Sequence, residues 1–255
     1  MPLPDEFRDL PRVDILGVPV NAVSKHELPR LVEQLVETGG SHILAPVNAE
    51  VLNRASETPE LHEFLNNADL VHADGAGAVL GSKILGDPIP PRVTSIYLLW
   101  QLCDRWKNGE HSIYFLGGPP GVAQQAAEVI RQQYPNVKIV GCHRGHLVTE
   151  EERQFVLRDI QEKKPDLLTV GFGTPKQERF ITTYREELKD VPVIWPVGAL
   201  TSHIAEIFPR APKLMRRYGM EWAWRLALEP RRMWKRYVLG NPRFVARVVK
   251  QRVLD

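Results

Sequence analysis

Cysteine is scarce: Cys103 and Cys142 are the only two in 255 residues, and their number and separation fit neither a disulfide scaffold nor a metal or redox pair. The chain therefore reads as one kept in a reducing compartment. Long apolar runs are missing as well, since no stretch approaches the roughly 20 apolar residues that span a bilayer. The start, Met1-Pro-Leu-Pro-Asp-Glu, is acidic and proline-broken where a secretory leader is basic and then apolar. These features predict a cytoplasmic protein that neither enters the secretory route nor crosses a membrane by itself. The eight histidines show no HxxxH or HExxH spacing and no Gly-x-Ser-x-Gly occurs, which argues against a zinc site and a serine-hydrolase elbow. Asp-x-Asp is absent too. Such a pair commonly holds the divalent ion on a nucleotide diphosphate, so any diphosphate bound here is expected to be neutralised by backbone dipoles and Lys/Arg, with no metal or other cofactor.

With 43% hydrophobic and 25% charged residues, the chain can bury a core without staples. The net charge of +2 hides an asymmetry. Of the 33 basic and 31 acidic residues, 13 basic and 3 acidic ones lie between Arg210 and Asp255, which leaves 20 basic and 28 acidic in residues 1–209. The tail at +10 and the rest at −8 are separate electrostatic objects, and the tail is expected to meet an anionic surface.

Before residue 209, short apolar runs alternate with longer amphipathic stretches. Val13-Asp-Ile-Leu-Gly, His42-Ile-Leu-Ala, Leu70-Val-His, Ser112-Ile-Tyr-Phe-Leu-Gly, Val137-Lys-Ile-Val-Gly, Asp166-Leu-Leu-Thr-Val-Gly and Val191-Pro-Val-Ile-Trp each read as a buried strand. Helices are predicted over 25–37, 94–107, 122–134, 150–163 and 176–188. This alternation predicts an α/β fold, a Rossmann-like, mostly parallel sheet with helices on both faces. After Pro209 the pattern turns helical, so residues 1–209 read as the core and 210–255 as a basic helical appendage. In the last segment Phe244, Val245, Val248, Val249 and Val253 share one face, and Arg243, Arg247 and Lys250 another. Trp222, Trp224 and Trp234 add amphipathic rings among further arginines.

Three stretches could carry chemistry. Phe115-Leu-Gly-Gly-Pro-Pro-Gly runs from a strand through a glycine turn into a helix, a junction whose backbone N–H groups suit a phosphate at Gly117 and Gly118. It fits an ordinary tight turn equally well. In Ala73-Asp74-Gly75-Ala76-Gly77, Asp74 stands at a strand's carboxyl end, where a carboxylate could take a proton from an attacking hydroxyl. Gly75 and Gly77 would let a substrate approach closely. Spacing alone slightly favours the alternative, in which Asp74 caps the helix starting near Gly75. In Gly171-Phe-Gly-Thr-Pro-Lys-Gln-Glu, Gln177 and Glu178 either reach a base, ribose or sugar, or Gln177 completes a capping box with Thr174.

Taken together with Asn48-Ala-Glu, Arg210-Ala-Pro, Gly219-Met-Glu-Trp-Ala-Trp-Arg-Leu and Glu229-Pro-Arg-Arg, these stretches resemble the WecG/TagA/CpsF glycosyltransferases, glycosyltransferase family 26, from about Val13 to about Tyr237. The resemblance implies a bacterial, inverting transferase that moves N-acetylmannosamine, its uronic acid or a related hexose from a UDP-sugar to a polyprenyl-diphosphate-linked acceptor in cell-surface polysaccharide synthesis. It also implies a membrane-engaging appendage on the inner face of the cell membrane, and often a homo-oligomer. Asp74 matches the family's proposed catalytic base and Asn48 an active-site polar group. Arg92 matches an arginine suited to a phosphate, and Gln177 and Glu178 match a pair near the nucleotide. Gly75, Gly77, Gly117, Gly118 and Gly171 belong to the matched motifs, and Arg210 would close over the diphosphate.

Three positions depart from the family pattern. Pro46-Val-Asn48 stands for the usual Thr-x-Asn, Ser95-Ile-Tyr97 for Gly-x-Asp, and Ser202 to Glu206 for Asp-x-x-x-Gly. Since Asp74, Asn48 and Arg92 persist, the changes read as a different sugar. The alternative is a non-catalytic, membrane-docked scaffold on the same fold. Nucleic-acid binding by the tail is disfavoured, because the apolar face and paired tryptophans suit a lipid interface better than a base-stacking groove.

Overall fold

The structure is a computed structural model and describes residues 5–205, 207, 212, 214, 215, 221–228, 230 and 234–254. A short helix α1 (Asp5–Arg8) leads into a hairpin of β1 (Arg12–Ile15) and β2 (Val18–Asn21). The core then runs α2 (Glu27–Thr38), β3 (His42–Val47), α3 (Ala49–Ala55), α4 (Pro59–Asn66), β4 (Leu70–Ala73), α5 (Ala76–Leu85), α6 (Ser95–Arg105) and β5 (Ser112–Gly117). It continues with α7 (Val122–Gln133), β6 (Lys138–His143), α8 (Glu150–Lys163), β7 (Leu167–Gly171), α9 (Lys176–Thr183), β8 (Val193–Pro196) and α10 (Leu200–Ile204). The tail contributes α11 (Glu221–Leu228), a π-helical turn (Lys235–Leu239) and α12 (Gly240–Leu254).

Strands β3 to β8 form a six-stranded sheet in the order β4-β3-β8-β7-β5-β6, and every pairing within it is parallel. The expected parallel α/β architecture is thus observed. The residues of β5 alternate between the two layers. Ile113 and Phe115 join the side packed by α2, α6 and α7, while Tyr114 and Leu116 join the side packed by α3, α8 and α9. Both faces are apolar because both are covered. Local chemistry explains the helix starts. Ser24 and Glu27 bond each other's backbone N–H ahead of α2, Thr149 and Glu152 form a capping box on α8, and the Thr94 hydroxyl accepts from Tyr97 N on α6.

Two expectations need correction. The first apolar run is not a strand of the parallel sheet. Arg12 and Asp14 are exposed while Val13 and Ile15 are buried, a half-buried alternation, and the chain reverses through Leu16 and Gly17, both at positive φ, into an antiparallel hairpin. The second correction concerns α12. Phe244 and Val248 are fully buried in the core with Ile15, Leu52 and Ala78, so they are not part of a lipid-facing stripe. Arg247 does not face away from the core either, whereas Arg243 and Lys250 are exposed. Arg247 donates to Asn53 O at 3.0 Å and to Glu57 Oε1 at 2.7 Å, and Arg243 reaches the same Oε1 at 3.2 Å. Gln251 ties the helix to the hairpin, donating to Asp14 O and accepting from Leu16 N. The i, i+4 spacing that makes α12 amphipathic serves docking onto α3 and α5. Val249 and Val253 remain exposed. The boundary placed between residues 209 and 210 lies outside the described residues. So do Arg210, Arg216, Arg217, Tyr218, Arg231 and Arg232, and the side chains of Trp222, Arg236 and Tyr237.

Candidate active site

The parallel sheet brings the singled-out segments to one edge. Asn48 follows β3, Asp74 follows β4, Gly117 ends β5 with Gly118 next, and Gly171 ends β7; Gly198, which the sequence did not single out, lies just past β8. From β5 the chain leads through α7 outward to β6, and from β7 through α9 the other way to β8. Diverging connections of this kind open the crevice in which α/β sheets bind ligands.

Asp74 is pinned by its backbone, with Asp74 N donating to Val47 O at 2.9 Å and Gly75 N to the same oxygen at 3.3 Å. Its carboxylate crosses to the start of α6. There Oδ1 accepts from Ser95 N at 2.5 Å and from the Ser95 hydroxyl at 3.0 Å. A helix amino end favours negative charge, so the site suits an ionised carboxylate. The expected cap on the helix after Gly75 is not made: Gly75 itself is the N-cap of α5, with no side-chain hydrogen bond. Arg92, partly buried, belongs to the segment that delivers Ser95, and Val93 N in that segment donates to Ala73 O at 2.8 Å.

Gly75 and Gly77 do allow a close approach, and the start of α3 makes it. A Cβ on Gly75 would lie 2.5 Å from Asn48 Cβ, and one on Gly77 2.7 Å from Ala49 Cβ. Asn48 is the N-cap of α3, its Oδ1 accepting from Glu50 N at 3.0 Å and Val51 N at 3.2 Å. The glycines of β5 and β7 crowd backbone against backbone. A Cβ on Gly117 would meet Gly171 Cα at 2.7 Å, and one on Gly171 would meet Gly198 O at 2.6 Å. Gly118 N donates to Gly171 O at 3.3 Å, so that N–H is already engaged. The amino end of α7 has Gly121 at its N-cap and receives no side-chain cap, which leaves it the better-suited anion site in this turn.

Gln177 and Glu178 are buried, at 4% and 5% exposure. Gln177 Oε1 accepts from Gly173 N at 3.1 Å and from Gly198 N at 3.0 Å, and its Nε2 donates to Glu178 Oε1 at 2.9 Å. The capping box with Thr174 is absent, because α9 begins after Pro175 without a side-chain cap. Gln177 instead ties the turns after β7 and β8 together. The Thr174 hydroxyl also donates to Glu178 Oε1 at 2.9 Å, and burial pushes the Glu178 carboxyl above the ordinary range.

Sequence reasoning missed two features. Ser95 stood out only as a departure from a motif, yet it holds Asp74. A groove of about 400 Å³ also opens between α3, Pro175 and the start of α12, lined by Glu50, Arg54, Glu57, Lys235 and Arg243 among others. No local pattern marks it, since its walls come from three distant segments. Among the described residues, no group of three or more His, Cys, Asp or Glu could hold a metal ion, and no helix is long and apolar enough to cross a membrane.

Similarity to known proteins agrees with this arrangement. The N-acetylglucosaminyldiphosphoundecaprenol N-acetyl-beta-D-mannosaminyltransferase of Staphylococcus aureus is 27% identical over 250 residues, covering 96% of this chain and 95% of the relative. The protein of the same name from Bacillus spizizenii is 28% identical over 207 residues, 81% of this chain and 78% of the relative. The profile of the glycosyl transferase WecG/TagA/CpsF family matches residues 13–255, so this parallel α/β chain, with Asp74 held at the carboxyl edge of its sheet, belongs to that family.

Proposed function

We propose that this glycosyltransferase moves N-acetylmannosamine or a related hexose from a UDP-sugar to a polyprenyl-diphosphate-linked acceptor, with inversion at the anomeric carbon. The names of the relatives support the sugar and the acceptor. The observation that carries the mechanism is the Asp74 carboxylate, held by Ser95 at the carboxyl edge of the sheet. Asp74 takes the proton of the acceptor hydroxyl as its oxygen bonds to the anomeric carbon, and the bond to UDP breaks on the opposite face. The leaving diphosphate is stabilised by Arg92, by Arg210 and by the amino end of α7, with no divalent ion required. Activity should therefore survive EDTA, and restoration by magnesium after chelation would reject that part.

The lipid-linked acceptor cannot leave the bilayer, so the enzyme works as a peripheral protein on the cytoplasmic face. Docking is assigned to the basic tail and to the exposed Trp234, Val238 and Leu239 beside Lys235, of which Leu239 and Lys235 line the groove at α3. The test of the whole reading is transfer from UDP-N-acetylmannosamine to a lipid-diphosphate-linked N-acetylglucosamine. Asp74→Asn should reduce turnover roughly 10²- to 10⁴-fold with UDP binding retained. Near-normal turnover of that variant would remove Asp74 from the mechanism.

A further inference from the structure

We infer that Ser95 is a positioning residue for Asp74, restraining the carboxylate at the carboxyl edge of the sheet with two donors on Oδ1. The inference rests on the reading of Asp74 as the base.

A carboxylate turns about its last side-chain bond in a broad, roughly two-fold well. At Asp74 this turn is restrained by Ser95, whose N–H and hydroxyl converge on Oδ1 at 2.5 and 3.0 Å. Both donors sit on a rigid frame. On one side, Val93 N donates to Ala73 O at 2.8 Å and ties the segment to β4. On the other, Ser95 opens α6, whose cap is already supplied by Thr94 through Tyr97 N. The Ser95 hydroxyl therefore has no capping task at this helix start and donates to Asp74 Oδ1. Alanine at 95 would keep the N–H bond and lose the hydroxyl, leaving the frame in place and the carboxylate freer to turn. Threonine would keep both donors.

A hydrogen bond to a charged acceptor is among the stronger ones, so Ser95→Ala should lower kcat roughly tenfold or more, with KM for donor and acceptor within about twofold of wild type. Ser95→Thr should recover most of the loss. The decisive comparison uses the residual turnover of Asp74→Ala, in which adding Ser95→Ala should change nothing. Three results would overturn the inference while leaving Asp74 as base: a Ser95→Ala enzyme with normal kcat, an effect confined to KM, or an equal Ser95→Ala loss in the Asp74→Ala background. Near-normal turnover of Asp74→Ala alone would reject the base, and the role of Ser95 with it.

Discussion

The docking of α12 can be tested through Phe244. Its ring is 1% exposed and packs so closely on α5 that a Cβ on Gly81 would lie 2.9 Å from Phe244 Cζ. A buried aromatic side chain removes about 150–250 Å² from water. At about 25 cal/mol/Å² that is about 4–6 kcal/mol as an upper bound, and Phe→Ala changes in cores cost about 3–5 kcal/mol. Phe244→Ala should therefore weaken docking by about 3 kcal/mol, since α12 is also held by Val248, Arg247 and Gln251. Converted at 1.4 kcal/mol per decade, the loss is roughly a hundredfold in the docking equilibrium. Hydrogen exchange of residues 240–254 reads this directly: their amides should lose about that factor of protection while β5 and β7 keep theirs. Val253→Ser, at a position 77% exposed, should stay within about 0.5 kcal/mol of wild type. The reasoning is refuted if Phe244→Ala leaves the protection of α12 intact and abolishes sedimentation with anionic liposomes, because the ring would then face lipid.

Three further outcomes follow from the packing. Gly75→Ala would set a methyl 2.5 Å from Asn48 Cβ, an atom fixed to its backbone. It should cost about 1–3 kcal/mol in urea denaturation and lower turnover by shifting Asp74, whereas unchanged activity and midpoint would show that the turn yields freely. Gln177→Leu removes the acceptor shared by Gly173 N and Gly198 N, and should destabilise the fold by about 2 kcal/mol or more, measured by thermal unfolding. His72 is fully buried on β4, and burial pushes its imidazole from 6.5 down to about 3. Protons then bind the unfolded chain first, so this group's contribution is complete above about pH 6.5 and is lost as pH falls toward 3. His72→Leu should flatten the acid-side fall in unfolding free energy across that window, and an unchanged slope would contradict a neutral buried imidazole.

The sheet and the helices α2, α6, α7 and α8 were legible because they rest on local properties, whereas α3, α4 and α10 were not read, α5 was read only as a start near Gly75, and α9 ends at Thr183, short of the expected residue 188. Buried parallel strands read as continuous apolar runs, and β5 and α8 begin and end where the Ser112–Gly117 run and the 150–163 stretch place them. The hairpin was misjudged because Val13-Asp-Ile-Leu-Gly is too short to separate alternation from a continuous run, and burial of alternate residues in β1 is decided by what lies beneath it. Asp74 and the glycines were visible as strand-end residues. Which backbone the glycines admit was not, since Gly75 faces Asn48, 27 positions away in the chain, and Gly117 faces Gly171.

For α12 the amphipathic period was plain, but a period specifies a face and not its partner. Lipid and protein core reward the same apolar stripe, and only the placement of Ile15, Leu52 and Gly81 beneath it selected the core. The same limit applies at Asp74. By itself the sequence determined that a carboxylate would stand at the carboxyl end of a parallel strand, because periodicity and turn chemistry act over a few residues. Only the tertiary structure decided that Ser95, 21 residues later, would hold it, because hydrogen bonds between distant segments are set by the strand order and helix packing that bring those segments together.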